Sequence, residues 1–286
     1  MRENHKIRVI AFYLPQFHPI PENDKWWGKG FTEWTNVGKA KPLFKGHYQP
    51  RVPADLGYYD LRMPEVREAQ AELAREAGIE GFCYWHYWFG KGKQLLERPF
   101  NEVLNSGKPD FPFCLGWANE TWTNKSWEVG TRKIKESILM EMTYNEEEYI
   151  KHFYDVLPAF KDKRYILVDG KPLFLIFRPL EIPNPKVFID LWQQKALENG
   201  LKGIHFVGIT YNMFPQEQTL KNVLLKNAEN NASINYEAVL NAGFDAVNSR
   251  GYNRADYYSR SVKEILWRSV SIRLFNHTPC GDKCTN

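Results

Sequence analysis

The sequence predicts an α/β fold with a parallel sheet closed into a (β/α)8 TIM-like barrel. Three observations lead there. Apolar runs of strand length alternate with stretches of helical period, the pattern of a parallel sheet covered by helices. The 286 residues suit one large domain, and a barrel needs roughly 250. Polar and aromatic residues collect just after the apolar runs, at the strand ends where barrels carry their sites. An open doubly wound sheet is disfavoured, because no GxGxxG turn or P-loop is present and "FGKGKQ" lacks the spacing.

The elements follow in order. "IRVIAFYLP" (7–15) reads as a buried strand. The aromatic, glycine-rich stretch from Asn23 to Arg62 is too long for an ordinary connection and predicts a functional loop. Pro64 opens a helix with Val66, Ala69, Leu73 and Ala77 on one stripe, and Gly78 ends it. "IEGFCYWHYWF" (79–89) is the next strand, a short helix spans about 94–105, and "FPFCLGWANE" (111–120) is a third strand. Asn145 to Glu148 has capping-box spacing, followed by Tyr149, Phe153, Val156 and Phe160 on one face. "YILVDGKPLFLIFRP" contains two strand runs around Asp169-Gly170, a tight-hairpin signal. Asn184-Pro185 opens a helix that Gly200 closes; 204–210 and 244–249 read as further strands. There is no internal repeat, so residues 1–286 are read as one domain.

Composition narrows the function classes. Net charge is +4 with the cations dispersed, which argues against a nucleic-acid partner. No apolar stretch approaches the roughly 20 residues of a membrane span, and Pro15 cuts short the one N-terminal run a signal peptide would need. The cytoplasm is the default compartment. Cys83 and Cys114 lie in strand-like runs as packed thiols; Cys280 and Cys284 lack a second ligand pair, so no metal site is read. The unusual feature is 10 Trp, 15 Tyr and 18 Phe, many in polar motifs. Sugar rings offer flat C–H faces to aromatics and hydroxyls to polar neighbours, so the pattern suits a glycan; a bulky aromatic core is the alternative.

"GWANETW" sets Asn119 and Glu120 between Trp117 and Trp122 at a strand end. A carboxyl group there can protonate a leaving oxygen or activate water, and the amide can hold a sugar hydroxyl. The competing reading is a structural carboxylate satisfied by backbone or arginine. "GFTEW" supplies a second carboxylate, Glu33, beside Trp34, which could equally brace its own loop. In "CYWHYWF", alternation sends His86 and Trp88 to one face and Trp85 to the other. Tyr13 and His18 follow the first strand; Arg178, and Tyr211 with Asn212, follow later ones. The candidate set is thus Glu120 and Glu33 for chemistry, with Tyr13, His18, Trp34, His86, Trp88, Trp117, Asn119, Trp122 and Tyr211 for binding. GxSxG, HExxH and Asp-x-Asp motifs are absent, so no cofactor and no metal are expected.

The stretches "AFYLPQFHPIPENDKWWGKGFTEWTNVGKAKPLFKGHYQPRVPADLGYYDLR", "GFCYWHYWFGKGKQLLERP" and "LGWANETWT" resemble the WbsX family, also called glycoside hydrolase family 99-like. The resemblance runs from about Ile7 to about Ser249. It implies a (β/α)8 barrel related to endo-acting mannosidases. It also implies an oligosaccharide or polysaccharide substrate from a bacterial surface polysaccharide such as O-antigen lipopolysaccharide, and a glycosyltransferase or hydrolase activity. Family members usually continue to a last strand with Asn-Glu-Trp-x-Glu-Gly, which resembles the mannosidases' acid and base pair. That stretch is not found here, so the expectation is a barrel incomplete on its C-terminal side, either active or a glycan-binding remnant. Oligomeric state is not legible.

Overall fold

Strand order decides the architecture. The computed structural model describes residues 7–124, 137–210 and 236–249. Its main sheet contains β1 (Ile10–Tyr13), β2 (Gly81–Gly90), β4 (Phe113–Trp117), β8 (Lys171–Ile176), β9 (His205–Thr210) and β10 (Ala246–Ser249), hydrogen-bonded in that order. Every neighbouring pair on this path is parallel. Each strand lies beside its predecessor and the order never reverses, as in a singly wound barrel. Helices α3 (Pro64–Glu76), α4 (Arg98–Ser106), α5 (Glu146–Phe160), α6 (Pro185–Glu198) and α7 (Tyr236–Asn241) fill the successive crossovers. The described residues form a half-barrel, with six strands on this path.

Antiparallel additions decorate it. β3 (Lys93–Leu95) folds back on β2, where the sequence pattern predicts helix; α4 starts only at Arg98. β5 (Trp122–Thr123) pairs with β6 (Ile138–Met140). β7 (Leu167–Val168) joins β8 through Asp169 and Gly170, both at positive φ, as the Asp-Gly hairpin signal requires. The predicted loop 23–62 also holds two short helices, α1 (Pro21–Trp27) and α2 (Glu33–Lys39). Pro21 opens the first. Thr32 caps the second, accepting from the Trp34 N–H while its own N–H donates to Thr35 Oγ1.

Helix faces follow the sequence with one correction. Tyr149, Phe153, Val156 and Phe160 of α5 are all buried, and Asn145 caps the helix at the Glu148 N–H. On α3, Leu73 is exposed, and Arg67, Ala71 and Ala74 form the buried stripe instead. A buried arginine is tolerated because its guanidinium donates to the Leu61 carbonyl and pairs with Glu102.

All ten residues of β2 are buried, and alternation divides them. Tyr84 packs on Phe100 of α4, and His86 meets His152 of α5, so even-numbered side chains face the helices. Odd-numbered ones face the concave side. There Trp85 stacks on Phe12 of β1 at 4.9 Å and 4°, and meets Phe177 beyond β8 edge-on at 5.5 Å. Gly116 of β4 permits this layer: a Cβ there would lie 3.4 Å from the Trp85 ring and 3.2 Å from Cys83 Sγ.

The His86 and His152 Nε2 atoms are 2.9 Å apart, in a pair sealed by Trp88, Trp117 and Trp192. Burial lowers both pKa values, that of His86 to about 4. At His86 the unfolded chain takes up its proton near pH 6.5, whereas the folded chain resists until about pH 4; His152 is shifted in the same direction. The pair therefore costs nothing above pH 6.5, and stability is lost as pH falls from there toward 4. For His86 alone the loss is about 3 kcal/mol at completion. Urea midpoints across this window should fall for the wild type and fall less for His86→Gln. Equal slopes for the two proteins would count against the assignment.

Among the described residues no helix is long and apolar enough to cross a membrane.

Candidate active site

The C-terminal ends of β4 and β8 are tied by one side chain. Asn119 is fully buried. Its Oδ1 accepts from the Arg178 N–H at 2.7 Å, and its Nδ2 donates to the Arg178 carbonyl at 2.9 Å. The second Nδ2 proton points to the Tyr144 hydroxyl at 3.1 Å, and that hydroxyl donates to the Asn119 carbonyl at 2.8 Å. Burial pushes the Tyr144 phenol pKa up, keeping it protonated. The amide thus fixes where Arg178 and the adjoining Glu120 emerge.

Beyond this lock the side chains become accessible. Arg178 Nη2 lies 3.4 Å from Glu120 Oε2, with the side chains 31% and 39% exposed. The same guanidinium has its Nε 3.7 Å from Glu181 Oε1 and sits 4.8 Å above the Phe177 ring. Burial raises the Glu181 pKa; Arg178 opposes this and the Glu120 charge adds to it. Two carboxyl groups therefore share one guanidinium at the strand ends, and one of them holds its proton more tightly than usual. The aromatic layer Phe12–Trp85–Phe177 runs up to this cluster. Trp122 joins the concave side, packing edge-on against Tyr87, Phe89 and, from α1, Trp26.

The other sequence candidates disperse. Tyr13 faces α3 and donates to Gln70 Oε1 at 2.6 Å. His86, Trp88 and Trp117 lie on the helix side with Tyr13, so the expected meeting of these four with Glu120 does not occur. The parity of β1, β2 and β4 turns them away. Trp117 Nε1 donates to the Trp88 carbonyl. His18 is buried in its own loop, its Nδ1 2.7 Å from the Pro15 carbonyl, and burial lowers its pKa. Trp34 braces the long connection, packing on Phe17, Tyr58 and Tyr59 and donating to the Tyr59 carbonyl. Glu33 opens α2 half-buried, with its pKa raised by burial. Tyr211 lies outside the described residues.

Glu181 was missed in the sequence, although it stands three residues after Arg178 just past a strand. That spacing places both on the 3-10 turn Pro179–Glu181 and its cap. Hollows elsewhere fit chemistry less well. One of about 410 Å³ lies between residues 107–110 and 162–164, at the N-terminal ends of the strands, where barrels keep stability rather than catalysis. Another, of about 30 Å³, lies behind β2 against Asp155 and has room for little more than water.

Residues 9–277 match the family described as Glycosyltransferase WbsX. The chain belongs to the WbsX family. Two relatives of this WbsX chain, each named uncharacterized protein WxcX, come from strains B100 and ATCC 33913 of Xanthomonas campestris pv. campestris. Each is 44% identical over 197 residues, 69% of this chain. That alignment spans only 28% of the relatives' own length. Among solved structures, a GH99 endo-alpha-mannosidase from Bacteroides thetaiotaomicron matches with a TM-score of 0.47 at 15% identity, covering 85% of this chain and 58% of that one. A glycoside hydrolase-like protein matches with a TM-score of 0.43 at 14% identity, covering 75% and 55%. At such scores the fold of this WbsX member rests on its own strand order.

Proposed function

We propose that this WbsX-family chain acts on a glycosidic bond of a bacterial surface polysaccharide or its precursor, such as O-antigen lipopolysaccharide, in the cytoplasm. The reaction is hydrolysis or glycosyl transfer by side-chain carboxylates. The observation that carries this is the Glu120–Arg178–Glu181 cluster at the strand ends, with partly buried Trp122 two residues beyond Glu120 and packed edge-on against Trp26. Glu181 donates its proton to the glycosidic oxygen as the C–O bond breaks. Glu120, paired with Arg178, takes the proton of the water or acceptor hydroxyl that attacks the anomeric carbon. The tryptophans stack on the sugar's C–H faces. Glu33 is the rival proton donor, since burial raises its pKa too.

The test is turnover of a panel of oligosaccharides by the wild type, Glu181→Gln and Glu33→Gln. Glu181→Gln is expected to slow turnover by about 10²-fold or more and to abolish the decline at rising pH, where a general acid loses its proton. Glu33→Gln is expected to stay near wild type. The reverse pattern transfers the role to Glu33. A second reading is a glycan-binding protein without turnover, favoured by the pairing of Glu120 with Arg178, which already satisfies the carboxylate. Under it, the wild type shows no turnover and Glu120→Gln weakens glycan binding.

A further inference from the structure

Between Glu33 and Asp55 the chain has no acidic side chain, yet it carries Lys39, Lys41, Lys45 and Arg51. Residues 40–58 form neither helix nor strand. Large apolar side chains there point into solvent: Leu43 is 85% exposed, Phe44 67%, Val52 63% and Tyr48 62%. A soluble surface seldom leaves four such groups bare in ten residues.

The tip is nonetheless ordered. His47 holds it together: its Nδ1 accepts from the Leu43 N–H at 3.2 Å, its backbone N–H donates to the Phe44 carbonyl at 3.1 Å, and its ring stacks on Phe44 at 4.7 Å. Gly46, at positive φ, permits the tight return. The hydrogen bonds and ring contacts of residues 41–52 stay within this stretch among the described residues. The cluster of apolar groups and cations is thus preformed, and the rest of the described fold does not cover it.

What would cover it must be apolar within and anionic at its rim. A nucleic acid meets the second requirement and fails the first. It would need open ring faces for base stacking, yet His47 takes one face of Phe44, and the Arg51 guanidinium lies 6.0 Å from the Tyr48 ring centroid. The most exposed group, Leu43, is aliphatic and offers a base nothing to stack on. An anionic bilayer meets both: aliphatic and aromatic groups enter the headgroup–acyl boundary while lysine and arginine remain at the phosphates. We propose that the 40–52 loop docks this protein on an anionic lipid surface, with Leu43 and Phe44 inserted and Lys41, Lys45, Arg51 and, from the end of α2, Lys39 at the headgroups. This holds whether or not the glycan reading does, since it uses none of the same residues.

Co-sedimentation of the full chain with vesicles tests it. Binding is expected to vesicles of phosphatidylcholine mixed with phosphatidylglycerol, weakening with added salt, and not to phosphatidylcholine alone. Lys41→Gln with Lys45→Gln should weaken binding by about 25-fold. Leu43→Ser with Phe44→Ser should weaken it by about 10²-fold. Neither pair should move the melting temperature, because the replaced side chains are exposed. The wild-type dependence on lipid charge and salt tests the proposal even if a variant folds poorly. The proposal is overturned by equal binding to both vesicle types, by no binding, or by binding that ignores the substitutions. It is also overturned if the same tip substitutions abolish binding to an oligothymidylate while vesicles are not bound.

Discussion

Glu120→Gln is expected to slow turnover by about 10²–10⁴-fold, the usual range for removing a positioned acid–base group. The same change should leave stability nearly untouched. Its ion pair with Arg178 is long at 3.4 Å and both partners are partly exposed, so its loss costs at most about 1 kcal/mol. Glutamine keeps the size of the side chain and can still accept from Arg178. What it cannot do is take a proton from the attacking oxygen. A large kinetic effect with an unchanged melting temperature is therefore the signature of chemistry, read on the same oligosaccharide panel. A fall in glycan affinity with no turnover in the wild type assigns the residue to binding. A fall in melting temperature with neither would make Glu120 a brace, the bland reading that its neighbour Arg178 permits.

The same residues explain how far the sequence could be read. Strand–helix alternation was enough for the order β1-β2-β4-β8-β9-β10, because each parallel strand is apolar along its length and each crossover helix has a clear face. That same continuity hides which side of a strand faces the concave surface. In β2 all ten residues are buried, so the pattern shows that Trp85 and His86 point opposite ways but not which way each points. His86, Trp88 and Trp117 looked like a sugar site and line the helix layer. Asn119 carried the opposite ambiguity: an amide beside a glutamate suits a hydroxyl, but Arg178, 59 residues later, occupies it. Glu181 is marked in the sequence only by its spacing from Arg178, because its raised pKa arises from burial and from Glu120, features of the assembled strand ends. The two short helices of the long connection are marked only by Pro21 and Thr32, signals too local to outweigh the surrounding glycines.

Asn119→Asp is expected to be the most damaging isosteric change in the molecule. The carboxylate keeps the acceptor for the Arg178 N–H but loses both donors, leaving the Arg178 carbonyl without its partner and facing it with a negative charge. The site is fully buried, so that charge is desolvated, and the cost should be about 3–5 kcal/mol at neutral pH. In a chain of this size that lowers the melting temperature by roughly 10 °C. The loss should depend on pH in a particular direction. Burial beside a carbonyl raises the folded pKa of the new carboxyl above its unfolded value of about 3.9. The penalty is therefore full at neutral pH and shrinks as pH falls toward 4, where the protonated acid can again donate to the carbonyl. Asn119→Ala, which introduces no charge, should cost about 1–3 kcal/mol with no such recovery. Melting curves of the two variants at pH 7 and near pH 4, each set against wild type at the same pH, check this. Parallel losses at both pH values would mean that the amide is not the clamp between β4 and β8, and that Arg178 is held beside Glu120 by other contacts.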